Sequence, residues 1–126
     1  MSGQYNEQDL TLDFVKDTIK SVLVKQYDKN TRFIIVKCSE NGVIKNIDKS
    51  LICNIKILTP DDRAIYNTCE ILSDGSIKVP LTESALYSSG VAKAELNIID
   101  SKGSSRIATM TFQIIIKPSV YKDDRV

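Results

Sequence analysis

The chain has 126 residues, 42 % hydrophobic and 26 % charged, and its 17 basic and 16 acidic side chains leave a net charge of +1. This length suits one domain with one apolar core, and the balanced charge excludes a global field steering it to nucleic acid or an anionic membrane. His and Trp are absent, which removes the commonest neutral-pH acid/base and metal ligand, and a favoured platform for sugar rings.

Residues 10–14 alternate Leu10, Leu12 and Phe14 with polar neighbours and open a possible extra edge strand over 10–18; the same short run also fits the start of a helix. Residues 18–25, with Ile19, Val22, Leu23 and Val24, read as a strand. Residues 31–38 are rich in β-branched and aromatic side chains and put Ile34, Val36 and Cys38 on one face. Asn41-Gly42 follows as a turn that tolerates positive φ.

Residues 51–58 turn Leu51, Cys53, Ile55 and Ile57 inward and Asn54 and Lys56 outward, and Pro60-Asp61-Asp62 ends them. Residues 69–72 and 76–79 flank Ser73-Asp74-Gly75, a strong hairpin signal. Residues 82–86 make one helical turn with Thr82 as cap. Residues 91–99 give the clearest strand, with Ala92, Ala94, Leu96 and Ile98 inward. A turn at 100–103 leads to residues 106–116, where Ala108, Met110, Phe112, Ile114 and Ile116 share the inner face before Pro118. The sum is an all-β, Ig-like antiparallel β-sandwich of about seven or eight strands. It spans residues 1–117, and residues 118–126 are a polar C-terminal tail or the start of a linker.

Cys38, Cys53 and Cys69 are odd in number and widely spaced, and they read as buried free thiols rather than a disulfide framework. Spacings of 15 and 16 positions exclude a zinc-chelating pair. Asp61-Asp62 and Asp123-Asp124 lack further acidic ligands nearby for calcium. Without His, Ser101-Lys102 and residues 119–122 have no base-assisted nucleophile arrangement and read as turn and tail. Gly42, Gly75, Gly90 and Gly103 are isolated and build no phosphate loop. Lys37, Lys45, Lys49 and Lys56 are interleaved with acidic residues and read as solvated sheet faces. Tyr87, just before a strand, is expected to be a buried residue tying down a sandwich corner. No catalytic, cofactor-binding or metal site is expected, and no cofactor. No apolar run reaches the roughly twenty residues of a membrane helix, and residues 1–7 lack the order of a secretory signal.

The order of motifs resembles a known family. Residues 24–32, Val-Lys-Gln-Tyr-Asp-Lys-Asn-Thr-Arg, look like its opening signature; Asn41-Gly42-Val43 and a long strand closed by Thr59-Pro60-Asp61-Asp62 follow. The family commonly has Lys-Pro-Asp-Gly at that close, so Asp62 departs from it. The Asp74-Gly75 hairpin, Val79-Pro80-Leu81, Ala85-Leu86, Gly90-Val91, Ala94-Glu95-Leu96 and residues 112–116 resemble its second half. Over about residues 10–117 the chain is similar to the N-terminal domain of the phage baseplate upper protein, found in siphophages of Gram-positive bacteria. The resemblance implies a structural virion module at the tail tip, assembled in the host cytoplasm. It implies attachment to the distal tail hub protein, oligomerisation as a trimer, and carriage of receptor-binding proteins for host adsorption. It implies no catalytic residues. The tail beyond Pro118 stands where a stalk would begin. A ligand-binding or carbohydrate-binding adhesin domain is the competing reading, and an enzyme the third; the missing His and Trp weigh against both.

Overall fold

Period-two alternation builds this fold, because successive strand side chains point to opposite faces and the apolar set of each strand must find a second layer. A computed structural model describes residues 7–13, 15, 19–26, 32–100 and 106–118. Among the described residues nine strands follow in chain order: β1 Glu7–Asp13, β2 Ser21–Lys25, β3 Arg32–Glu40, β4 Val43–Lys45, β5 Ile52–Leu58, β6 Ala64–Ile71, β7 Ile77–Leu81, β8 Gly90–Ile99 and β9 Arg106–Lys117. The described residues contain no helix. The all-β reading is therefore borne out, and residues 10–13 lie in a strand, which settles the strand-or-helix alternative at that place.

Hydrogen-bonded neighbours run β1-β3-β7-β6-β5-β8-β9-β2, with β4 paired to β3 off this path. The first sheet holds β1, β3, β4 and β7; the second holds β2, β9, β8 and β5. β6 joins them: up to Cys69 it pairs with β5, and Glu70 and Ile71 pair with β7. Most pairs are antiparallel, but β1 runs parallel to β3 and β2 parallel to β9. The two sheets are thus mixed. The first two strands in sequence end up on different sheets, at the two ends of the path. Gln8 Nε2 donates to the Leu23 carbonyl at 2.6 Å and brings those two ends together.

The inner faces carry the apolar residues that the alternation assigns to them. Ile34, Val36, Ile77, Val79 and Leu81 of the first sheet face Ile55, Ile57, Leu96, Ile98, Ile114 and Ile116 of the second, all of them buried. Each such side chain contributes roughly 1.5–3 kcal/mol relative to exposure. Cys38, Cys53 and Cys69 are buried among them and unbridged, as the sequence leads one to expect. Ala85 and Leu86 cap one end of the core. They sit on the single turn at 82–86, where Ala85 N donates to the Thr82 carbonyl at 3.1 Å and reaches Thr82 Oγ1 at 3.4 Å.

Three stretches go beyond the sequence reading. β4 is a short return from the Asn41-Gly42 turn. β6 begins at Ala64, five residues before its apolar signal. β7 runs through Pro80, beyond its last pair with β6 at Lys78, so one side of the strand there carries no ladder to be broken. The motif at 27–31, the turn at 101–103 and the tail at 119–126 lie outside the described residues.

Candidate functional site

Exposed apolar side chains concentrate on the outer face of the second sheet, and the register shows how. Val91 in β8 opposes Ile115 in β9, and Ile115 opposes Leu23 in β2, giving an apolar row across three strands. The next row reads Leu58, Lys93, Gln113 and Ser21, and the one after it Tyr66, Lys56, Glu95 and Thr111. Val91, Leu23 and Leu58 are about half exposed, and Tyr66 is 67 % exposed. Strand alternation alone places these residues outward once their neighbours are committed to the core.

A groove of about 350 Å³ lies across the middle rows, lined by Ile19, Lys56, Leu58, Lys93, Glu95 and Gln113 among others. The segment before β2 forms one wall, held by the Gln113 N–H donating to the Lys20 carbonyl at 2.9 Å. Ile19 is 72 % exposed on that wall. Beyond Lys56 stands Tyr66, with the ammonium 5.8 Å from the ring centroid. β6 itself has an open side: among the described residues it pairs with β7 only at Glu70 and Ile71, so residues 64–68 present strand backbone without a ladder on that side. Apolar ridges, two lysines, a glutamate and an adjacent free edge can bind a protein surface. They contain no activated nucleophile.

The carboxylates are occupied in turns. Arg63 Nε meets Asp61 Oδ2 at 2.8 Å, and Thr59 Oγ1 donates to Asp61; these bonds hold the Asp61 carboxyl well below the usual carboxylate range. Asp74 and Asp48 are held down by hydrogen bonds from Ser76 and Ser50. Among the described residues no group of three His, Cys, Asp or Glu side chains converges as metal ligands. Asp123 and Asp124 lie outside the described residues. Burial and the nearby Cys53 push the Cys38 thiol up to about 12.

The lysines read as solvated sheet faces do stand apart on the two sheets. Lys56 is on the outer face of the second sheet, Lys37 and Lys45 belong to the first, and Lys45 pairs with Glu40 at 3.6 Å. The expectation for Tyr87 needs correcting. The residue is 58 % exposed rather than buried, with its ring centroid 5.8 Å from the Arg63 guanidinium. The corner is tied by backbone and by Arg63 instead: Gln26 Nε2 donates to the Tyr87 carbonyl at 2.8 Å, and Arg63 reaches Ser84 Oγ and the Ser84 carbonyl. Alternation stops before residue 87, so period-two logic had no hold on that ring. The open side of β6 was equally hidden in the sequence, because pairing partners are set by topology.

Comparison with known proteins adds to this geometry. The model of the BppU N-terminal domain matches residues 6–126. Among solved structures, the N-terminal domain of phage TP901-1 ORF48 superposes with a TM-score of 0.72 at 19 % identity, covering 88 % of this chain and 98 % of that one. A cysteine protease inhibitor from Entamoeba histolytica gives a TM-score of 0.47 at 17 % identity, covering 88 % and 97 %. No curated protein matches.

Proposed function

The chain belongs to the BppU N-terminal domain family, and we propose on that premise that it attaches to the distal tail hub of a phage and positions receptor-binding proteins for adsorption. The match over residues 6–126 carries this reading. The domain acts by assembly, as a non-enzymatic module of the virion, and oligomerises around the hub. The outer face of the second sheet is its contact surface. Val91, Ile115 and Leu23 form the apolar centre there, and the open side of β6 offers backbone N–H and C=O groups to a partner strand. A shared hub raises the effective concentration of neighbouring copies, so contacts too weak to hold free domains together suffice in the assembled particle.

Co-expression with the distal tail protein of the same phage, followed by size exclusion, tests this. The two chains co-elute, and labelled antibody marks the tail tip of virions. Val91→Lys combined with Leu58→Lys abolishes co-elution while the thermal midpoint stays within a few degrees, because both side chains are already half in solvent. Failure of the unsubstituted chain to co-elute, with no label at the tail tip, overturns the reading. Selective binding of a cell-wall saccharide replaces it with a ligand-binding one.

A further inference from the structure

Cys53 in β5 and Cys69 in β6 stand directly opposite one another in the antiparallel register. Both side chains point to the inner face, 1 % and 7 % exposed, and the neighbouring Cys69 side chain, together with burial, pushes the Cys53 thiol up. Opposed residues of an antiparallel pair have Cα atoms about 4.5 or 5.5 Å apart, and both values lie in the roughly 4.4–6.8 Å span that a disulfide bridges. Cys53 also lies close enough to raise the Cys38 thiol, but the strand of Cys38, β3, belongs to the opposite sheet and has no register with β5.

We propose that Cys53 and Cys69 form a latent cross-strand disulfide, dithiol when the chain is made in a reducing compartment and closed when it meets an oxidising small-molecule disulfide. In the reaction, the thiolate of one cysteine attacks a sulfur of the oxidant, giving a mixed disulfide and releasing one small thiol. The second cysteine then attacks the protein sulfur of that mixed disulfide and releases the second thiol. Two electrons and two protons pass from the protein to the oxidant, and one S–S bond forms as another breaks. Access comes from the β6 side. Among the described residues, 64–69 are laddered to β5 alone, so this strand opens locally at lower cost than the strands paired on both sides. The pair is also well placed to act as a staple: it is the last β5–β6 pair before β6 crosses to the first sheet.

The test refolds the full chain from denaturant across mixtures of oxidised and reduced glutathione, with intact mass and peptide mapping as readouts. Refolding reads the equilibrium, so slow attack on buried thiols does not enter. A monomer lighter by two hydrogens, linked Cys53 to Cys69, is expected from the unsubstituted chain and from Cys38→Ser alike. Cys53→Ser and Cys69→Ser form no intramolecular bond. Closing a loop of about 16 residues raises the thermal midpoint of the oxidised form by roughly 10 °C. Three free thiols at every glutathione ratio, a bond that involves Cys38, or an oxidised form that melts below the reduced one overturns the proposal. If a serine variant fails to fold, the mapped peptides of the other chains decide.

Discussion

The Asp13 carboxylate at the end of β1 accepts the backbone N–H of Gly42, in the β3–β4 turn, at 2.9 Å. It also accepts the Asn41 N–H at 3.2 Å, the Ser39 hydroxyl at 2.8 Å and the Val15 N–H at 2.8 Å. Asn41 and Gly42 have φ of 52° and 86°, the double left-handed geometry of a two-residue hairpin turn. One side chain thus stabilises the turn and anchors the parallel strand beside it.

Asp13→Ala removes this acceptor and leaves the Ser39 hydroxyl, 4 % exposed, without it. An unsatisfied buried donor together with lost charge-assisted bonds costs about 2–4 kcal/mol. Asp13→Asn keeps one acceptor oxygen and loses less. Equilibrium urea unfolding at pH 7 checks both, and an alanine variant within 0.5 kcal/mol or so of the parent is incompatible with this role.

Much of this architecture is legible in the sequence where one face of a strand is strictly apolar. β8 is the clearest case, with Ala92, Ala94, Leu96 and Ile98 all buried as the alternation dictates. The first half of β6 is not legible, because its inward positions are Ile65 and Asn67, both only half buried beside the gap where β7 diverges. The parallel pairings of β1 and β2 escape sequence reading for another reason: alternation defines a face but not a neighbour. The outer face proposed as the contact surface is the least legible part. Its outward rows take shape only when three strands align Val91, Ile115 and Leu23.

Gly75 has no room for a side chain. It has φ of 85°, and a Cβ there would come within 2.6 Å of the Asn46 Cα. Its carbonyl also accepts the Ile47 N–H at 2.9 Å, so the Asp74-Gly75 hairpin packs on the segment leaving β4. Gly75→Ala combines left-handed strain with a backbone clash and lowers stability by about 2–4 kcal/mol. Thermal melts check this, and the loss exceeds that of alanine at an exposed strand position such as Thr68.

Acid weakens the fold in a defined direction. Asp61 is held below its ordinary range by Arg63 first and Thr59 second, and Asp48 and Asp74 by serine bonds. A folded-state value below the unfolded one means that the unfolded chain binds more protons. The stabilisation is therefore complete above the unfolded value and is lost as pH falls from about 4 through the depressed folded values. The urea midpoint is flat between pH 6 and 8 or so and falls below about pH 4. Asp61→Asn removes one titrating group, so its acid decline is shallower than the parent's. An unchanged slope excludes Asp61 as a contributor.

Asp62 occupies a left-handed position, φ 65°, in the turn that closes β5. The turn is fixed around it. The Asp62 N–H donates to the Thr59 carbonyl at 3.0 Å, the Thr59 N–H to the Arg63 carbonyl at 2.8 Å, and the Arg63 N–H to Thr59 Oγ1 at 2.9 Å. The backbone therefore does not relax to suit its side chain. Aspartate tolerates this region better than most residues, and a β-branched residue tolerates it least. Asp62→Gly removes the strain but gives the unfolded chain more freedom, so the net change lies between zero and a gain of about 1 kcal/mol. Asp62→Val adds a loss of about 1–2 kcal/mol. Urea unfolding of the three chains at pH 7 should rank glycine equal to or above aspartate, and aspartate above valine. A valine chain as stable as the parent shows that the turn leaves the left-handed conformation and that Asp62 sits there without strain.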